Sequence, residues 1–120
     1  ASEQWHAVAP TLARLEHEDE RVRRAAIRAV AEVSTSGDTD AYDALARCLE
    51  DSSADIQQLA ADTLVALARP GDSYALGVVG TRLANRNLHV RQIAQNTLTR
   101  LASPGDGVSR SFGDTEAVNA

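Results

Sequence analysis

Apolar residues along this chain return at a fixed interval of 34 positions. When the segments 5–38, 39–72 and 73–106 are set beneath one another without gaps, five apolar columns run through all three. They are Leu15, Leu49 and Leu83; Val22, Ile56 and Val90; Ala26, Ala60 and Ala94; Val30, Leu64 and Leu98; and Val33, Leu67 and Leu101. A sustained period of this length is the signature of a repeat architecture, in which each copy is one supersecondary unit. Within a copy the apolar positions fall on two helical faces. Trp5, Val8, Leu12 and Leu15 make the first, and Val22, Ala25, Ala26, Ala29, Val30 and Val33 the second. Their spacing of three and four residues is that of an amphipathic helix with one buried stripe.

The breaks between the helical stretches have their own logic. Asp19, Ser53 and Asn87 occupy one column immediately before the second helix. They are three different residues, but each can accept a hydrogen bond from the amides of a first helical turn, so the column reads as an N-cap. Gly-Asp recurs at 37–38, 71–72 and 105–106, twice after Pro. The glycine is expected to take the left-handed conformation that closes the second helix. Asp38 and Asp72 are expected to cap the first helix of the next copy.

Composition fits an all-helical core. Hydrophobic residues make up 43% of the 120 residues, but there are only one Trp, two Tyr and one Phe, so the core is built mainly from Ala, Leu, Val and Ile. The net charge is −5, which argues against a general nucleic-acid binder. No apolar run approaches the roughly 18 residues of a membrane span. With no secretory signal visible and a single cysteine, Cys48, the expectation is a soluble intracellular protein, in the cytoplasm, or in an organelle if Ala1 is a processed terminus.

The segments "Asp-Glu-Arg-Val-Arg-Arg-Ala-Ala-Ile-Arg-Ala-Val" (19–30), "Asp-Ile-Gln-Gln-Leu-Ala-Ala-Asp-Thr-Leu" (55–64) and "Leu-His-Val-Arg-Gln-Ile-Ala-Gln-Asn-Thr-Leu" (88–98) resemble the second helix of a HEAT repeat. The resemblance covers 5–106 and is closest to the short HEAT-like repeats also found in phycobilin lyases. A tetratricopeptide array has the same period, but its aromatic columns are missing here. The resemblance implies a right-handed all-α solenoid: three helix–turn–helix repeats, six helices, within residues 1–106, followed by an extended tail at 107–120. HEAT repeats often pair an Arg in the second helix with an Asp six residues before it. In this chain those columns are Arg23, Gln57 and Arg91, and His17, Asp51 and Asn85. The resemblance therefore implies a structural ladder in which Asp51 bonds across copies to Arg23 or Arg91.

Chemistry-bearing groups are sparse. His6, His17 and His89 fall in different columns, and no nucleophile–base pair or phosphate loop is present. Cys48 sits beside the core column of Leu49 and reads as a small hydrophobe. No catalytic, cofactor or metal site is expected. The function expected is a non-catalytic protein–protein interaction module, or an accessory or scaffold subunit of a larger assembly. Its partner is a protein or peptide bound through the second-helix face and the tail. By resemblance alone, the alternative is a phycobilin lyase-like protein or its regulator.

Charge is uneven along the chain. The first copy carries −1, the second −5 and the third +3. Arg21, Arg24 and Arg28 form one side of a second helix, where they meet an acidic partner or pair with Glu20 and Glu32 at i, i+4. With Arg91 and Phe112 they are the candidate partner-binding residues. Phe112, the only Phe, reads as the anchor of the tail. It either folds back over Leu98 and Leu101 or docks on a partner chain, and the polar Gln95 and Thr99 on the third copy favour the partner. Those two residues stand where the earlier copies have Ile27, Ala61, Ala31 and Val65, and Ala25 is the smallest of its column, so the array is expected to be complete with three copies.

Overall fold

A computed structural model describes residues 13–102, and among them every regular element is helical. Ala13 and Arg14 close a helical turn, and five α-helices follow: α1 (Glu20–Val33), α2 (Thr39–Cys48), α3 (Ala54–Leu67), α4 (Ser73–Gly80) and α5 (Leu88–Ala102). A 3-10 turn, Thr81–Ala84, extends α4. The α2–α3 and α4–α5 pairs are hairpins. They stack so that α2 lies beside α4 in one layer, while α1, α3 and α5 lie side by side in the other.

The caps explain where the helices start. Asp19 accepts the Arg21 amide, Asp38 that of Ala41, Ser53 that of Ile56, and Asp72 those of Tyr74 and Ala75. Asn87 accepts from His89 and Val90. Each satisfies first-turn donors that the helix itself leaves open.

The glycines act differently from the sequence expectation. Helices α1 and α3 end on Ser34 and Ala68, both in extended conformation, before the glycines are reached. Gly37 (φ 93°) and Gly71 (φ 74°) instead occupy the third position of tight turns closed by Asp38 N–H to Thr35 O at 3.1 Å and Asp72 N–H to Arg69 O at 3.0 Å. Positive φ at that position is what a type II turn demands, and Pro70 supplies the preset φ of the second. So Gly-Asp is a turn that delivers a cap rather than a helix stop. Gly105 lies outside the described residues.

One continuous core joins the copies, from Leu15 through Ile27, Val30, Leu45, Leu49, Ile56 and Leu64 to Val79, Ala94 and Leu101. Its largest fully buried side chain is Tyr42, which the apolar columns did not single out. The Tyr42 hydroxyl accepts the Gly37 amide at 2.6 Å, so the ring fills the core while its polar end pins the turn. One further bond fastens each turn to the next copy. Ser36 Oγ donates to Leu67 O and Gly71 N–H to Leu101 O, both at 2.8 Å. Two different donors thus satisfy the equivalent last-turn carbonyl of α3 and of α5.

The third copy departs from the pattern. Leu15 is 5% and Leu49 0% exposed, but Leu83, in the same column, is 44% exposed. Hairpin α4–α5 packs beyond Leu49, whereas no described element packs beyond Leu83. The first helix of this copy is also weak: Gly77 lies within it and Gly80 ends it, and a Cβ at either would meet nothing within 4 Å. Gly in a helix interior costs about 1 kcal/mol relative to Ala. Gly77→Ala should therefore raise the unfolding free energy by about 0.5–1 kcal/mol, read as a higher urea midpoint at constant slope.

Candidate functional site

Two groups of residues stood out in the sequence: the Arg and Asp columns at the inter-helix turns, and the arginines on the outer side of α1. The structure gives them different work.

At the turns, His17, Asp51 and Asn85 share one bond. His17 Nδ1, Asp51 Oδ1 and Asn85 Oδ1 accept the backbone amides of Asp19, Ser53 and Asn87 at 3.0, 2.9 and 2.8 Å. An imidazole, a carboxylate and an amide thus hold the N-cap residue in the same way. The Arg column answers from the second helix. Arg23 Nη1 donates to His17 O and Glu18 O, and Arg91 Nη1 donates to Asn85 O and Arg86 O, at 2.8–3.0 Å. Gln57, in the same column, reaches Leu49 O instead. The side chain therefore ties the turn to the helix that follows it.

Asp51 adds a bond between copies. Arg23 Nε meets Asp51 Oδ2 at 2.8 Å and Nη2 meets Oδ1 at 3.1 Å, a bidentate pair with the side chains 13% and 8% exposed. Of the two arginines expected for this ladder, Asp51 takes Arg23. Arg91 does not pair with Asp51; its Nη1 donates within the turn of its own copy. It is half-buried there.

The arginines of α1 present themselves outward. Arg21 folds back on Asp19 at 3.0 Å, and this hydrogen-bonded contact holds the Asp19 carboxyl down at about 2. Arg24 pairs with Glu20 at 2.7 Å, the expected i, i+4 contact, with Asp55 at 3.9 Å. Arg28 is exposed and makes no hydrogen bond or ion pair among the described residues, so the expected pairing with Glu32 does not form. On α3, Asp62 accepts from Gln58 at 3.0 Å and from Arg100 of α5 at 2.8 Å. Gln92 and Asn96 continue the exposed row on α5. Phe112 and His6 lie outside the described residues.

A cleft of about 440 Å³ opens between the first two copies, lined by Leu15, His17, Arg23, Arg47, Cys48 and Asp51 among others. Within it Arg23 pairs with Asp51 at 2.8 Å and Arg47 lies 3.8 Å from Glu16. Cys48 is buried, and burial, aided by the nearby Asp51 charge, pushes its thiol up to about 12. A thiol so protonated at neutral pH is not a nucleophile. Ellman's reagent at pH 8 should therefore react with Cys48 only at the rate of unfolding, and fast labelling of the native protein would contradict the burial. Among the described residues no group of three or more His, Cys, Asp or Glu is arranged to hold a metal ion, and no helix is long and apolar enough to cross a membrane.

Stacked antiparallel helical hairpins, capped and tied at each turn, define a class of helical repeat protein. A sequence model of HEAT repeats matches residues 3–65, more than half of the chain, and the chain belongs to this family. HEAT repeats generally mediate protein–protein interaction. No curated protein and no solved structure matches the chain.

Proposed function

We propose that this protein is a non-catalytic binding module: a right-handed solenoid of three HEAT repeats, 5–38, 39–72 and 73–106, that serves as an accessory or scaffold subunit of a larger assembly. Its partner is a protein or peptide, held on the second-helix face. The observation that carries this reading is the exposed polar row across α1, α3 and α5, formed by Arg28, Gln58, Asp62, Gln92 and Asn96. Helices stacked side by side offer a broad, rigid surface, and repeat arrays bind through such surfaces. Arg28 is the cation on this row that the fold does not use, and so it is free to meet a partner carboxylate. Arg21 and Arg24 can re-pair at low free-energy cost because exposed ion pairs contribute little.

The test begins with capture of the native partner by affinity pull-down and mass spectrometry. Arg28→Glu combined with Asn96→Glu is then compared with Asp43→Arg on the opposite layer. Binding should fall with the first pair and hold with the second. The reverse pattern would place the partner on the α2–α4 layer and end this reading.

A further inference from the structure

The end of the third copy is half open, and the pattern of its openness selects what closes it. On the second-helix side, Gln95 stands exposed where Ile27 and Ala61 are fully buried against the next copy. Another stacked repeat would have to bury this amide in their place, which is unfavourable without a partner. On the first-helix side the surface stays apolar. Leu83 and Leu88 are exposed, the latter by 53%, and Leu76 and Leu98 are only partly covered. The occupant must therefore be narrow, covering the α4 side and the turn while leaving Gln95 in water.

Charge narrows the choice. From Ser73 to Ala102 there are four Arg and no Asp or Glu. Arg82 and Arg100 pair with Glu50 and Asp62 of the second copy. Among the described residues Arg86 and Arg91 form no ion pair, and they flank the exposed leucines together with His89. The surface thus calls for a short segment that joins carboxylates to apolar side chains.

This chain carries such a segment directly downstream. Residues 112–118 read "Phe-Gly-Asp-Thr-Glu-Ala-Val", with two acids, no base, and Phe112 and Val118 at the ends. Helix α5 runs back from Leu88 to Ala102, a rise of about 22 Å for 15 residues. Ten further residues lead to Phe112, and an extended chain of that length spans up to about 33 Å. The segment can return the full length of α5 to the leucines.

We infer that residues 112–118 dock in cis on the exposed edge formed by Leu83 and Leu88, with Asp114 and Glu116 facing Arg86 and Arg91. Phe112 supplies the apolar cover that hairpin α4–α5 gives to Leu49. Leu101 is not the target, because it is already buried.

The experiment uses the full chain with Ser111→Cys and a nitroxide label. Cys48 is buried with its thiol protonated, so the label goes to position 111. The methyl signals of Leu83 and Leu88 should lose most of their intensity while those of Leu45 keep theirs. Adding Phe112→Ala, Asp114→Asn and Glu116→Gln should restore them. Leu83→Asp, at an exposed position that the fold tolerates, should restore the Leu88 signals. No selective loss at Leu83 and Leu88, or a loss that the triple substitution leaves unchanged, would overturn the inference. Loss that appears only when labelled and isotope-enriched copies are mixed would overturn the cis form and assign the segment to a neighbouring copy. The outcome is independent of the second-helix face, whose variants leave this edge untouched.

Discussion

Leu64→Ala should lower the unfolding free energy by about 3 kcal/mol, within the range for large-to-small changes in a packed core, while Gln95→Ala should change it by less than about 0.5 kcal/mol. Leu64 is fully buried on α3, the middle helix of its layer, with Val30 and Leu98 in the same column of the adjoining copies. Truncation leaves a cavity between copies that are fastened on both sides, at the turns and through the core, so the site cannot collapse easily. Small domains have only about 5–15 kcal/mol in total, and a loss of this size takes a large share of it. Urea denaturation of the two variants makes the comparison. Coincident midpoints would show that the column of Val30, Leu64 and Leu98 does not face the core.

Asp51→Ala should be comparably severe, at about 3 kcal/mol, because it leaves the half-buried Arg23 guanidinium without its counter-charge. Three bonds go at once: two from Arg23 and one from the Ser53 amide. Asp51→Asn keeps the acceptor for Ser53, as Asn85 does for Asn87 in the third copy, and should cost less. A double-mutant cycle with Arg23→Ala separates the pair from the cap. If the two single losses simply add, the pair carries no coupling and the bond between copies is incidental to stability.

The comparison of Asp51 with its column mates shows how far the sequence could be read. The resemblance to HEAT repeats pointed to the Asp position, and of the three residues in that column only Asp51 matches it. In the structure all three accept the same amide. Residue identity conceals this equivalence, because the bond needs only an acceptor at a fixed place, and an imidazole nitrogen, a carboxylate oxygen and an amide oxygen all supply one. The pairing between copies does depend on identity, and it forms only where Asp faces Arg.

The arginines of α1 show the opposite case. Their spacing placed them on one helix side, which the structure shows as exposed. Whether each was free or paired depended on rotamers and on neighbours from α3, so Arg24 is held by Glu20 while Arg28 is left open. Tyr42 was missed for a similar reason. Its column, with Val8 and Leu76, is apolar in all three copies, but that it holds the largest fully buried side chain, with the hydroxyl accepting the Gly37 amide, is visible only in the packed turn.

The sequence by itself determined the helical period, the repeat length, the capping residues and the membership of the HEAT family. Each of these follows from local chemistry: which side chains bury on a 3.6-residue stripe, and which can satisfy a first-turn amide. Only the tertiary structure decided that the glycines serve type II turns after the helices have ended, that Asp51 takes Arg23 rather than Arg91, and that Leu83 is exposed in a column otherwise buried. Those outcomes depend on what packs beyond each residue. A repeat keeps its apolar pattern whether or not a neighbour is there to cover it.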